Sequence, residues 1–506
     1  MNADSIDLVD SLSLLSLKVA SNVFDLSSGQ HHISIRDQMV RAQLVVRDLK
    51  RGDPNLNSLL IVGAGVAGIA AALEAVDRGV EHVLVVDAGS EPFGLFKGVS
   101  GRFVGPYMYE WPSSFSNNQS YPGHKGTRWS NLSSSPLRWN RKNPISANAL
   151  FNKLTRLLKI RLGAATGGTF KPTICINVNK GKISDFVKKF ANNESARTIS
   201  RLLKHTPPKP TVFGYWNDAT WPSLAEAEAT IAPQYILLAA GMGKETVKLV
   251  AKDRFGNTYN GQNFLGTNFW AKDSLMSPNT PNLRVSIFGG GDGALQDSLR
   301  ILTRRRHPLE FIEYLLADPA VKKAIDSVTP DLLAIDRQGR QFGTWTLKNA
   351  FRTVDTCCRE MSFQLASKKF VAQRVAAGIS LGTGTVSLFV RDPYFDKAYL
   401  LNRFLVHLIV ECKKAHPSLW SGRVNFEVHF NHQAVAYAKS GSSHEVTILA
   451  STSSSSHTHP CDVIAVRYGI TPGTVPGAQM IQVSKSMSRQ RTTLARVELP
   501  FVAEKD

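Results

Sequence analysis

Cysteine is scarce in this chain. It has five in 506 residues: Cys175, Cys357, Cys358, Cys412 and Cys461. No C-x-x-C pair occurs, and the adjacent Cys357 and Cys358 read as ordinary helix residues, because a vicinal disulfide is strained and rare. Few, unpatterned cysteines fit a reducing cytosol. No run of about 18 apolar residues is present, so no spanning helix is expected. Asp4, Asp7 and Asp10 spoil the pattern of a signal peptide, so the expected location is cytoplasmic. There is no Ser-His-Asp order, no HExxH and no Walker loop. Acid is short as well: 40 Asp and Glu face 60 Lys and Arg, a net charge of +20. That surplus suits either a nucleic-acid or anionic-membrane partner, or anionic cofactors, an anionic substrate or a generally basic surface. The densest runs, Thr303-Arg304-Arg305-Arg306-His307 and Lys368-Lys369, are short, and no nucleic-acid motif accompanies them. The second set is therefore preferred.

Two glycine-rich loops are what the chain does have. The length allows two or three domains with sizeable cores. In the first loop, residues 59–62 form an apolar run of the kind found in buried parallel strands. Gly63-Ala64-Gly65-Val66-Ala67-Gly68 follows. Gly63 permits the tight turn, Gly65 lets backbone approach a pyrophosphate, and Gly68 lets the next helix pack on the strand. That helix, over about 66–78, aims its N-terminal N–H groups at phosphate. A second strand, 83–86, ends at Asp87, nineteen residues after Gly68. An acid there accepts hydrogen bonds from a ribose hydroxyl and repels a 2′-phosphate, which disfavours NADP at this site. The loop alone does not choose FAD over NAD.

The second loop follows the strand 285–288. Gly289, Gly291 and Ala294 repeat the G-x-G-x-x-A spacing, with Asp292 and Gly293 between them. A polar, helical stretch at 303–384 then intervenes before a strand at 386–390 that ends on Arg391. Arginine at that strand end suits the 2′-phosphate of NADPH, and a plain surface arginine is the other reading. Two more segments match in pattern: the strand 235–241, ending in Ala239-Ala240-Gly241, and a weaker copy at 462–469.

Taken in order, these motifs resemble the two-dinucleotide-binding-domain flavoproteins, which include thioredoxin-reductase-like enzymes and flavin-dependent monooxygenases. The resemblance spans roughly 57–469, motif by motif. It implies an α/β fold: an FAD-binding Rossmann-like domain with an inserted NAD(P)-binding Rossmann-like domain, a helical N-terminal extension and a helical insertion. It implies FAD at Gly63, Gly65, Gly68 and Asp87, with Ala240 and Gly241 at the domain link. NADPH or NADH would face Gly289, Gly291 and Asp292. The redox cysteine pair of the reductases is missing, as are their late glycine-aspartate FAD motif and the F-x-G-x-x-x-H motif of Baeyer–Villiger enzymes. The resemblance thus reaches the superfamily and not a subfamily.

The expected boundaries are an extension at 1–56, the FAD domain at 57–280, the NAD(P) domain at 281–460, and a return to the FAD domain with a tail at 461–506. An amphipathic helix at 35–49 packs on the FAD domain or, in a homo-oligomer, on a second subunit. The aromatics around Tyr109, Glu110 and Trp111 either wall a pocket for a flavin or small-molecule substrate or plug a core. Residues 113–143 read as long loops. His457, His459 and Cys461 have metal-ligand chemistry without a fourth ligand, so no metal is expected. Without a cysteine pair, oxygen is the expected electron acceptor. Rival readings are a non-catalytic FAD/NAD sensor or scaffold that uses the helical insertion as a partner module, and a nucleic-acid-modifying flavoenzyme.

Overall fold

The computed structural model describes residues 17–20, 22–26, 34–105, 108, 111–112, 143–163, 171–192, 200–203, 211–213, 231–241, 243–249, 263–340, 349–451 and 455–470. Tyr109, Glu110, residues 113–142 and the tail 471–506 lie outside the described residues.

The first domain begins with β1 (Lys18–Ala20) and β2 (Val23–Asp25), so the N-terminal extension supplies strands as well as the expected helix, α1 (Ile35–Gly52). Then come β3 (Ser58–Val62), α2 (Val66–Asp77), β4 (His82–Val86), the short pair β5 (Phe103–Val104) and β6 (Ile145–Ser146), and α3 (Ala147–Gly163). β7 (Thr173–Ile176), α4 (Lys180–Ala191), β8 (Thr211–Val212) and β9 (Tyr235–Leu238) complete it. The sheet order is β1-β2-β9-β3-β4-β7-β8, parallel from β2 to β7. Its strands are apolar on both faces because both are covered. Leu59, Ile61, Val83 and Val85 pack with α1 and α2, while Leu60, Val62, Leu84 and Val86 meet Ile183 and Phe186 of α4. Helix α1 lies on α2, where Gln43 Nε2 donates to Glu74 Oε2 at 3.3 Å.

A linker carrying the antiparallel pair β10 (Lys248–Leu249) and β11 (Phe264–Leu265) leads to the second domain. There β12 (Arg284–Phe288) feeds α5 (Asp292–Thr303). The insertion is helical, as expected: α6 (Pro308–Leu316), α7 (Pro319–Arg340), α8 (Ala350–Ala366) and α9 (Lys369–Ala377). It returns into β13 (Thr385–Val390), which pairs in parallel with β12, Ile287 opposite Leu388. The insertion thus leaves the strand pair intact: Ser380 N donates to Leu302 O at 2.7 Å, closing it near its own start. Closing a long excursion costs little more than closing a short one. Cys357 and Cys358 lie on α8, and all five cysteines are free.

Next come α10 (Leu400–Ala415), β14 (Asn425–Phe430), an antiparallel meander of β15 (His432–Ser440), β16 (Ser443–Ala450) and β17 (Ser456–Cys461), and β18 (Val463–Val466). The second sheet is β14-β13-β12-β18, all parallel. Val285, Ile287, Val386 and Leu388 face the helices, while Phe288, Phe389, Ile464 and Val466 face Val446 and Ile448 of the meander. The boundary expected at 461 needs correction. β18 completes the second sheet beside β12, and the chain meets the first domain's exit just beyond it, where Ile470 bridges Glu245. Among the described residues no helix is long and apolar enough to cross a membrane.

Candidate functional site

Both sheets present the same construction at their C-terminal edge. In the first, β3 lies between β9 and β4, with Val62 opposite Leu238 and Val86. Gly63 turns out of β3 with φ of 111°. A β-carbon there would overlap the Ala239 carbonyl oxygen, so glycine is required both by φ and by the approach of β9. A β-carbon on Gly68 would overlap the Gly63 carbonyl, which lets α2 sit close on the loop. Gly65 differs: it is the N-cap of α2 with no side chain to cap the helix, and the space where a β-carbon would stand is open. That opening lies where the first-turn N–H groups of α2 emerge, at the partly exposed Val66 and Ala67. The loop therefore fits a pyrophosphate.

Asp87 sits at the end of β4, as its spacing predicts, but is engaged by the loop itself. Ala64 N donates to its Oδ2 at 2.5 Å and Gly89 N to its Oδ1 at 2.5 Å. A carboxylate accepts about four hydrogen bonds, so two lone pairs remain for a ribose hydroxyl. The sequence reading missed this fastening role, since spacing shows where an acid falls and not what it holds.

The second edge repeats the first. β12 lies between β18 and β13, with Phe288 opposite Val466 and Phe389. Gly289 has φ of 140°, and a β-carbon on it would overlap the Arg467 carbonyl oxygen. Gly291 is the N-cap of α5, again without a side-chain cap. Gly241 and Gly469, each three residues beyond the strand that flanks its loop, have φ of 88° and 82°. They mark the two domain exits, which meet where Thr246 N donates to Gly469 O at 2.8 Å. Ala240 and Gly241 follow β9 just past Ala239. Their counterparts Tyr468 and Gly469 belong to the weaker copy of that motif, and Tyr468 is 43% exposed at the edge of the second loop.

Three features set the second loop apart. The segment after β13 folds against it, with the Asp396 carbonyl oxygen 3.8 Å from where a β-carbon on Gly291 would stand. Asp292, expected to face NADPH, is engaged by the start of α10: its Oδ1 accepts from Asn402 Nδ2 at 2.5 Å and from Tyr399 N at 3.2 Å. Burial outweighs these bonds and raises its pKa to about 6. Gly293 packs beside Phe269, and Ala294 is buried. Arg391 lies one residue beyond β13, exposed, 3.8 Å from Asp392. Contact at Gly291 is ordinary van der Waals, whereas a β-carbon on Gly290 would overlap the Val390 side chain.

A buried ion cluster holds the second loop's helix against the first domain. Arg102 of the first domain pairs with Asp297 of α5 and, at 2.7 Å, with Asp273 of the linker. Arg300 Nη1 reaches Asp297 at 2.9 Å and Asp273 at 3.1 Å, and its Nη2 donates to Gly101 O at 2.9 Å. Arg467 Nε donates to Asp297 Oδ2 at 2.8 Å. Burial opposes ionisation of Asp297, but the three guanidinium groups win and hold its pKa well below the usual carboxylate range. Met108 and Trp111 come from the aromatic stretch and plug the core on the second domain's side. Trp111 packs on Phe404 of α10, ring centroids 5.0 Å apart.

The densest basic run is engaged internally. Arg304 donates to the carbonyls of Met276 and Ser277, Arg305 lies 4.1 Å over the Tyr314 ring, and Arg306 pairs with Glu310 at 2.8 Å. His307 is buried and caps α6 through Nδ1, and burial pulls its pKa down to about 3. Among the described residues no three His, Cys, Asp or Glu groups stand together as a metal site.

Fold and loop geometry together define two Rossmann-like α/β domains, each with a glycine loop between a parallel strand and a helix. The family model of the NAD(P)-binding Rossmann-like domain matches residues 61–125, which contain the first loop. The chain is similar to a thioredoxin reductase from Lactococcus lactis, at 10% identity over 82% of this chain and 78% of that one, TM-score 0.32. It is similar to an ornithine N-hydroxylase from Kutzneria sp. 744, at 12% identity over 83% of each chain, TM-score 0.35. It is also similar to a lysine monooxygenase from Nocardia farcinica, at 14% identity over 82% of this chain and 81% of that one, TM-score 0.31. At such values the likeness says nothing of activity. No curated protein matches the chain.

Proposed function

We propose that this protein is an FAD-dependent oxidoreductase that takes hydride from NAD(P)H and passes electrons to oxygen, in monooxygenase-type chemistry on a small-molecule substrate. The observation that carries this reading is the repeated edge. Gly63 lies under Ala239 and Gly289 under Arg467, each loop opens a helix, and the two domains meet through paired linkers. Two such edges in one chain suit two dinucleotides whose rings must approach each other. FAD would lie on Gly63, Gly65 and Gly68 with its ribose at Asp87, and NAD(P)H on Gly289 and Gly291 with Arg391 toward a 2′-phosphate. The bound groups supply the hydride and electron chemistry; the protein orients them and excludes water. Its own residues act by position. Asp87 is fixed by Ala64 N and Gly89 N, and the Arg102–Asp297 pair holds α5 at one angle to the first domain. Lacking a C-x-x-C pair, the chain has no thioredoxin-type disulfide as acceptor, which favours oxygen.

The test is spectroscopic. The purified protein is expected to be yellow, to release FAD on gentle denaturation, and to bleach when NADPH is added without oxygen. A yellow protein that never bleaches sinks the hydride step, and a colourless one without FAD removes the flavin. The sensor reading stays as a second reading, because Asp292 is committed to α10 and the 391–399 segment lies against the second loop. A yellow protein that binds NADPH without bleaching favours it.

A further inference from the structure

Four histidines outside the dinucleotide loops gather where the meander meets the second parallel sheet. His429 of β14 stacks on Phe389 of β13, ring centroids 4.8 Å apart and planes 15° from parallel. His459 of β17 meets the same Phe389 edge-on at 5.0 Å. His432, the first residue of β15, stands edge-on to His429 at 5.7 Å and to His457 of β17 at 6.4 Å. His432 Nδ1 lies 2.6 Å from the Phe430 carbonyl oxygen, which fixes that ring with Nδ1 as donor. His429 Nε2 lies 3.4 Å from Glu427 Oε2. Two of the rings therefore touch the aromatic floor of the sheet, and three of the strands that meet at the seam contribute.

We propose that His429, His432, His457 and His459 form an acid-sensitive clasp that seats the β15–β17 meander on the second sheet near neutral pH and loosens it on acidification. Neutral imidazoles pack on one another and on Phe389. Protonating His429 and His459, both partly desolvated beside Phe389, sets like charges close together, with the exposed His457 at the rim. The charged groups whose fields reach them are Glu427 of β14 and Arg284 of β12, the latter paired with Asp462 at 2.7 Å. Glu427 can offset one imidazolium; Arg284 adds to the repulsion at His459. Burial first, then the neighbouring rings, hold His429 and His459 below the ordinary histidine range, while Glu427 works against them. A lowered folded-state pKa means that the native form releases protons. Its stabilising effect is present above the unfolded value near 6.5 and is lost as pH falls below it. The proposal is independent of what the glycine loops bind.

Hydrogen exchange of the full chain, without added nucleotide, tests it at about pH 7.5 and about pH 5.5. After correction for intrinsic rates, peptides across 432–461 are expected to lose about tenfold in protection relative to the β3 and β4 peptides. The H429Q/H459Q double variant is expected to lose most of that dependence. Equal protection at both pH values, or the same loss in the double variant, overturns the clasp. Should the variant not fold, histidine titration of the unmodified protein by NMR decides. His429 and His459 titrating below the ordinary histidine range support the clasp, and both titrating within it overturn it.

Discussion

The carbonyl oxygen of Arg467 occupies the space that a β-carbon on Gly289 would need. The same relation joins Ala239 to Gly63. In each domain the strand across from the loop, and not only the ligand, demands the glycine.

Gly289→Ala is therefore expected to destabilise the second domain even without nucleotide, by about 2–4 kcal/mol from left-handed backbone strain plus overlap with backbone that cannot move aside. Gly65→Ala faces open space and is expected to stay within about 0.5 kcal/mol of the parent while lowering FAD content, because its methyl stands where a pyrophosphate would approach. Denaturant unfolding and flavin absorbance of both variants check the contrast.

Asp297→Ala leaves Arg102, Arg300 and Arg467 around a missing anion. A loss of about 3–5 kcal/mol is expected, as for breaking any buried ion pair. The depressed pKa gives the sign with pH: the folded form binds fewer protons than the unfolded, so the contribution is complete above about pH 4 and is lost as pH falls further. Unfolding measured between about pH 3 and 7 should show a flatter acid limb in the variant than in the parent.

Asp292 titrates the opposite way. Its folded pKa of about 6 lies above the ordinary 3.8, so the native protein holds a proton that the unfolded chain gives up. Stability from this group is present below about pH 4 and is lost as pH rises through 6. Asp292→Asn keeps an acceptor for Tyr399 N and Asn402 Nδ2 and should gain about 1 kcal/mol over the parent at pH 8, with no gain at pH 4. Thermal unfolding at the two pH values checks this.

Arg391→Ala separates the two nicotinamide cofactors. If Arg391 reads a 2′-phosphate, the variant binds NADPH about tenfold more weakly and NADH unchanged. Titration of the flavin-loaded protein with each nucleotide measures it. Equal loss for both removes the assignment.

Much of this architecture was legible in residue order. The strands 59–62 and 285–288, the glycine spacings, Asp87, the helical insertion and the strand before Arg391 all fell where periodicity and turn chemistry placed them. These are local properties: an apolar run, a left-handed turn and a helix start are each set within a few residues. The strands of the N-terminal extension were less visible, because three-residue edge strands such as Lys18–Ala20 carry too short a pattern.

The sequence by itself determined that two glycine loops of G-x-G spacing follow apolar strands and that no C-x-x-C pair occurs. Tertiary structure alone decided that Val463–Val466 closes the second sheet, that Asp292 turns to α10, and that four histidines share one seam. It also placed Arg102 on Asp297, 195 residues away. Strand pairing and the desolvation of charges depend on which distant segments meet, and spacing along the chain does not carry that information.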